Sequence, residues 1–371
     1  MRYLSRRQFL ASTATALVSS LALGPSLAYA QQSPASAQKL KGIVYTADEH
    51  GNSVSAIDLA SGRVQTVPIP ISPHNVQSTA DGSRLLAVGG PAGDGHGHGA
   101  NSAHDQKETK GRLLIFDAAK LSSGPMASIQ VGNHPAHVVV DRAGQRAFVT
   151  NSGDNSVAVV NLAHKTIVQT IKTGRYPHGL RISPDGSESY VANVEDGSVS
   201  VIDTSMLTEV ARIPVGKTPV QVGFTPDGSR VYVSLRDENS VSIIDTESRT
   251  KIGTIPVGRG PIQIHATPDG RFVYVANQGT DAEPADTVSV IEVASDKVVD
   301  TIRTGKGAHG VAVSDDGLLV LVSNITDGTV SVIDAAKRVV VATFRVGRGP
   351  NGITYHHSRK WGDRRSTFRI A

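Results

Sequence analysis

The residues best suited to chemistry in this chain are its histidines, 13 among 371 residues that include no cysteine. Without thiolates, imidazole is the strong metal ligand on offer, and neutral imidazole suits Zn(II), Cu(II) or Ni(II). Residues 96–104 read HGHGANSAH, setting His96, His98 and His104 among glycines and small polar residues. His96 and His98, two residues apart, could both reach one ion. His74, His137, His178 and His309 lie far apart in the chain, so only the fold can unite them. The missing cysteines also exclude disulfides and a cysteine nucleophile.

The element that must position these side chains is a repeat. Aligned copies begin at 131, 173, 215 and 257, a period of 42 residues, and another begins at 304. An earlier copy starts near Ser72-Pro73-His74 and carries a long insertion at about 90–110. The copy from 257 carries a shorter one. A seventh copy is split, with VGRGPNGITYHH at 346–357 and GIVYTADEHGNSVSAIDLASGRVQTVPI at 42–69. Each unit holds four alternating runs, as in HGLRI, SYVAN, SVSVID and EVARI, broken by turns such as PDG and EDG. Val, Ile, Tyr and Thr dominate the runs, and no helical period competes. Four strands per repeat of this length make a propeller blade. The expected fold is all-β: a seven-bladed β-propeller over residues 42–358, its ring closed by N- and C-terminal strands sharing one blade.

Tyr190-Val191-Ala192-Asn193, Tyr274-Val275-Ala276-Asn277 and Phe148-Val149-Thr150-Asn151, with the VSVID runs, resemble the YVTN-type β-propeller repeat of exported bacterial proteins, the YncE-like group. The resemblance implies the fold and no particular activity. At the N-terminus, SRRQFL resembles a twin-arginine export signal, and Ala28-Tyr29-Ala30 reads as its cleavage site. The expectation is a signal over 1–30 cleaved after Ala30, a leader over 31–41, a basic tail over 359–371 and a periplasmic location. Without Arg2, Arg6 and Arg7 the chain keeps 34 basic and 33 acidic residues, so global charge gives no case for nucleic acid. Aromatics at 4% also leave few stacking platforms. No later stretch is long and apolar enough to span a membrane, and a monomer is expected.

A meander alternates direction, so the loops of each blade alternate between two faces. On that count His50, His74, His96, His98, His104, His134, His137, His178 and His309 share one face, here called the top. The place that opens the innermost strand reads His74, Ala136, His178, Val220, Ile262, His309 and Asn351 around the ring. It stands at the mouth of the central channel. Arg175, Lys217, Arg259, Lys306 and Arg348 follow the glycines of the VG and TG turns on the same face. Asp48-Glu49, Glu195-Asp196, Asp237-Glu238, Asp281 and Glu283 fall in the loops between strands two and three. This reads as a basic mouth inside an acidic rim.

Three functions follow from these patterns. The first is a non-enzymatic protein binding Zn or Cu through His96, His98 and His104 together with His74, His137, His178 and His309. The second is a scaffold whose top face binds an anionic ligand, a nucleic acid or a protein partner through Arg175, Lys217, Arg259, Lys306, Arg348 and Asn351. The third is a lactonase-like hydrolase. Sites of that kind converge carboxylates on a channel metal, whereas here the strand openings carry none, and no GxSxG or HExxH motif occurs. The sequence therefore favours binding over catalysis.

Overall fold

Alternating β-branched residues and chemically fixed turns make each repeat fold alike. The computed structural model describes residues 40–93 and 110–357. They form seven four-stranded antiparallel sheets arranged as the blades of a propeller. Blades 1 to 6 span 71–133, 135–172, 177–214, 219–256, 261–303 and 308–345. Blade 7 places Pro350–His356 innermost, beside Ile43–Asp48, Ser53–Asp58 and Arg63–Pro68. Its closing ladder pairs Ile43 with His356, Val44 with Tyr355 and Tyr45 with Thr354. The ring is thus closed by hydrogen bonds and packing, which pairs the inner edge of Ile43–Asp48. The innermost strands of successive blades touch all the way round.

The core lies between blades. Tyr190, Tyr232 and Tyr274, the aromatics that open the YV-type runs, are wholly buried at equivalent places. Tyr190, Val199 and Val201 of blade 3, for instance, pack on Val222, Val231 and Val233 of blade 4. Outermost strands alternate exposed and half-buried residues, as in Thr208–Pro214. The hairpins around the two insertions are longer than the rest, with strands Arg84–Pro91 and Lys110–Asp117 in blade 1 and Phe272–Gly279 and Pro284–Glu292 in blade 5. No helix among the described residues is long and apolar enough to cross a membrane.

Two polar devices recur in the turns. In the bottom-face turn, a hydroxyl donates to an aspartate two residues on: Thr79 to Asp81, Thr225 to Asp227 and Ser314 to Asp316. Ser83 N–H donates to Asp81 as well, and these bonds pull the Asp81 carboxyl down to about 2. In the top-face turn, the asparagine ending strand two accepts from a glycine amide, Asn151 from Gly132 at 3.0 Å and Asn324 from Gly305 at 3.1 Å. A side chain on Gly132 would stand 2.6 Å from Asn151 Cγ, so only glycine fits. An acid from the next loop accepts from the following amide: Asp154 from Asn133, Asp196 from Arg175, Glu238 from Lys217 and Asp327 from Lys306.

Candidate metal site at the channel mouth

Five of the seven innermost strands start at proline, which needs no ladder partner for its nitrogen, and in blade 1 Pro73 is the third residue of Ile71–Ser78. In blades 1 and 3 the next residue is a histidine, His74 or His178. Blade 2 has Ala136 there, and His137 follows. Its strand carries the bulge that blades 3 to 6 share: Pro135 opposes Asn151 and Val138 opposes Val149, leaving Ala136 and His137 together opposite Thr150. A bulge re-aims a side chain. Thr150 fixes the result, accepting from His137 N–H at 2.9 Å and donating to the His178 carbonyl at 2.7 Å.

Three histidines from three successive blades therefore meet at the axis, with ligand nitrogens all within 4.8 Å of one another. His74 meets His178 edge to face at 5.1 Å between centroids, and His137 lies tilted against His178 at 4.9 Å. All three are buried. A tetrahedral ion bound at about 2.0–2.1 Å needs nitrogens about 3.3 Å apart, so closure asks for shifts of about an ångström.

The hydrogen bonds behind the rings orient the pair His74–His178. His178 Nδ1 faces the Val220 carbonyl at 3.2 Å, and His74 Nδ1 faces the Glu49 carboxylate at 3.3 Å. Both oxygens accept, so both neutral rings are drawn to carry their proton on Nδ1. Their bare Nε2 atoms then face each other at 3.0 Å. Two lone pairs at that distance call for a proton or a metal ion between them. Asn351 Nδ2, 3.2 Å from His74 Nδ1, is the donor that supports the other tautomer when no ion is bound. Neither nitrogen of His137 has a hydrogen-bond partner among the described residues. Burial, then the neighbouring His178 and His74, hold its pKa well below the usual value, so the ring is neutral and able to ligate.

Glu49 was not legible as part of this site. With Asp48 it belonged to the expected acidic rim, yet both are buried. A single helical turn over Glu49–Gly51 drops the blade 7 loop into the mouth, where Glu49 Oε2 accepts from Asn351 Nδ2 at 2.6 Å. The equivalent residues are Ser152, Val194, Arg236, Gln278 and Ile325, so a comparison between blades would have flagged an acid. Asp48 takes the place of the strand-ending asparagines. Thr46, Ser53 and Ser55 donate to it at 2.7, 3.1 and 2.6 Å, but burial outweighs them and pushes its pKa up to about 6.

His309 is fully buried at the equivalent place in blade 6, close enough to act on the His137 charge. His96, His98 and His104 lie outside the described residues. The expected cations are each tied to their own blade. Arg175 pairs with Asp196 at 2.7 Å, Arg259 with Glu283, and Arg348 donates to the His50 carbonyl at 2.9 Å. Lys217 and Lys306 hold the rim acids through their backbone amides. Of the expected anion-binding residues, Asn351 alone stands against the triad.

Fold and site together define a seven-bladed β-propeller with a buried polar cluster at one mouth of its channel. Residues 203–362 match the YNCE-like beta-propeller family, and residues 99–262 match the Cytochrome D1 heme domain. A chain titled Kuenenia stuttgartiensis Hydrazine Synthase is similar in fold, with TM-score 0.64 and 22% identity over 78% of this chain and 96% of that one. A functionally unknown protein from Desulfotomaculum acetoxidans gives TM-score 0.67 and 16% identity over 86% and 100%. At these identities the likeness is one of fold. No curated protein matches the sequence.

Proposed function

We propose that the protein is an exported binding propeller that holds Zn(II) or Cu(II) at His74, His137 and His178. One observation carries this reading: two Nε2 atoms stand face to face at 3.0 Å with acceptors behind both rings, and beside them lies a neutral imidazole with no hydrogen-bond partner among the described residues. Glu49 and the Val220 carbonyl are the outer groups that fix ring orientation in histidine metal sites. Three imidazoles would leave a fourth position for an outside ligand. The loop histidines His96, His98 and His104 would then act as a cover or as further donors. A haem reading, prompted by the match that covers His137 and His178, meets rings in edge contact with no slot between them for a macrocycle.

Titrating metal-free protein with Zn(II) and Cu(II) tests the proposal by calorimetry, with X-ray absorption to count nitrogen donors. The expected result is one ion per chain at micromolar affinity or tighter, with three or more nitrogen donors. Affinity should fall as pH drops through about 6, where free imidazole protonates. Binding no tighter than about millimolar would overturn the proposal.

A further inference from the structure

Below the triad, a second level of the channel carries a cation with no counter-ion. The fifth place along the innermost strands, counted from the opening residue used above for the proline, reads Gln77, Val139, Arg181, Gly223, His265, Ala312 and Thr354 around the ring. It includes no carboxylate. Arg181 makes one hydrogen bond, from Nη1 to the neighbouring Leu180 carbonyl at 3.0 Å. It has no ion pair among the described residues, unlike the rim arginines Arg175 and Arg259. Burial alone lowers its pKa to about 10, which leaves it charged at neutral pH.

Arg181 is rooted in blade 3, yet its charge acts on His137 in blade 2 and on His265 in blade 5. Blade 4, which stands between Arg181 and His265, offers Gly223 at this level and so no side chain to separate them. A Cβ there would lie 2.9 Å from Ile264 Cγ2. His265 Nδ1 accepts from Val313 N–H at 2.9 Å, which assigns the ring proton to Nε2. That Nε2–H makes no hydrogen bond among the described residues. Arg181 and His265 thus bring unspent donors to one level of the channel, with a charge that no described residue pairs.

We propose that this level binds a small carboxylate or oxyanion, held by the Arg181 guanidinium and the His265 Nε2–H. A planar guanidinium matches two oxygens of such an anion, and the charge-assisted bonds it makes are stronger than neutral ones. The site uses none of the metal ligands, so it stands or falls apart from the metal reading.

The test uses full-length protein stripped of metal by a chelator and then dialysed, titrated with inorganic phosphate and separately with acetate. Calorimetry should show saturable 1:1 binding of at least one anion at millimolar affinity or tighter, weakening as salt is added. Arg181→Gln should weaken it tenfold or more, and Arg181→Lys should weaken it less. Arg181→Met should melt no lower than wild type in phosphate-free buffer and should gain nothing when phosphate is added. If the Arg181 variants do not fold, His265→Gln reports on the same anion from its second donor, with an expected weakening of threefold or more. Absence of saturable binding in wild type, or equal binding by wild type and a folded variant, would overturn the proposal. Retained zinc binding alongside lost phosphate binding would confirm that the two sites are separate.

Discussion

The polar residues at the top of this molecule fall into two groups that behave differently. Those that recur from blade to blade find partners that recur as well, within the blade or on the backbone of the next one. Asn193, for example, donates to Ser198 and Ser200, and Asp196 accepts from the Arg175 amide and guanidinium. Those that occur in some blades only, His74, His137, His178 and Glu49, find theirs across blades at the axis. Repetition can satisfy only contacts that repeat. A cluster on the symmetry axis is assembled from different blades, so its chemistry is written in departures from the repeat.

The sharpest way to break this comparison is at the ring itself, because the axis site exists only if the ring closes. Deleting residues 346–371 removes the innermost strand of blade 7 and leaves Ile43–Asp48 unpaired on one side. The expected outcome, read by calorimetric melting and size exclusion, is loss of the cooperative transition and an aggregating chain.

Next in size is an exchange of effects between the two groups. His137→Leu should cut metal affinity a hundredfold or more while leaving the metal-free melting temperature unchanged or raised, since the imidazole has no partner to lose. Asn193→Ala should do the reverse, costing about 1–3 kcal/mol in a denaturant titration with unchanged metal affinity. Similar outcomes for both variants would erase the distinction drawn here.

Asp48 lets the comparison be drawn at a single place. It occupies the position that Asn151, Asn193, Asn277 and Asn324 hold in other blades. Its pKa of about 6 lies above the unfolded value of 3.8, so the acid form favours folding and wild-type stability declines as pH rises through 6. Asp48→Asn should therefore stabilise the protein by about 2 kcal/mol at pH 7.5, an advantage that fades below about pH 4. Urea melts at both pH values measure it. A variant less stable at pH 7.5 would mean that the three hydroxyl donors, not burial, dominate this carboxyl.

The smallest effects belong to the exposed pairs. Arg175→Ala breaks an ion pair whose arginine side chain is 63% exposed, and the melting temperature should move by no more than its scatter. Asp81 is the opposite case in sign to Asp48. Its pKa, near 2 and below the unfolded value, makes its contribution present at neutral pH and lost as pH falls from about 4 to 2. Asp81→Asn should flatten the acid limb of a stability–pH curve without altering its neutral plateau.

By itself the sequence determined the blade count, the four strands per blade and the shared closing blade. Period, alternation and turn residues are local properties, and a 42-residue repeat with a split copy admits one arrangement. It also placed His74, His178 and His309 at the mouth, because position within a repeat is position in the fold. Only the tertiary structure decided which of these side chains meet. His137 enters the triad one residue later along its strand than His74 and His178, Glu49 turns inward from a loop that read as rim, and Arg181 shares a channel level with His265 across a glycine in the blade between them. Each of these depends on backbone direction and on what a neighbouring blade leaves empty. A pattern read along one chain does not contain distances across a ring, and those distances make the site.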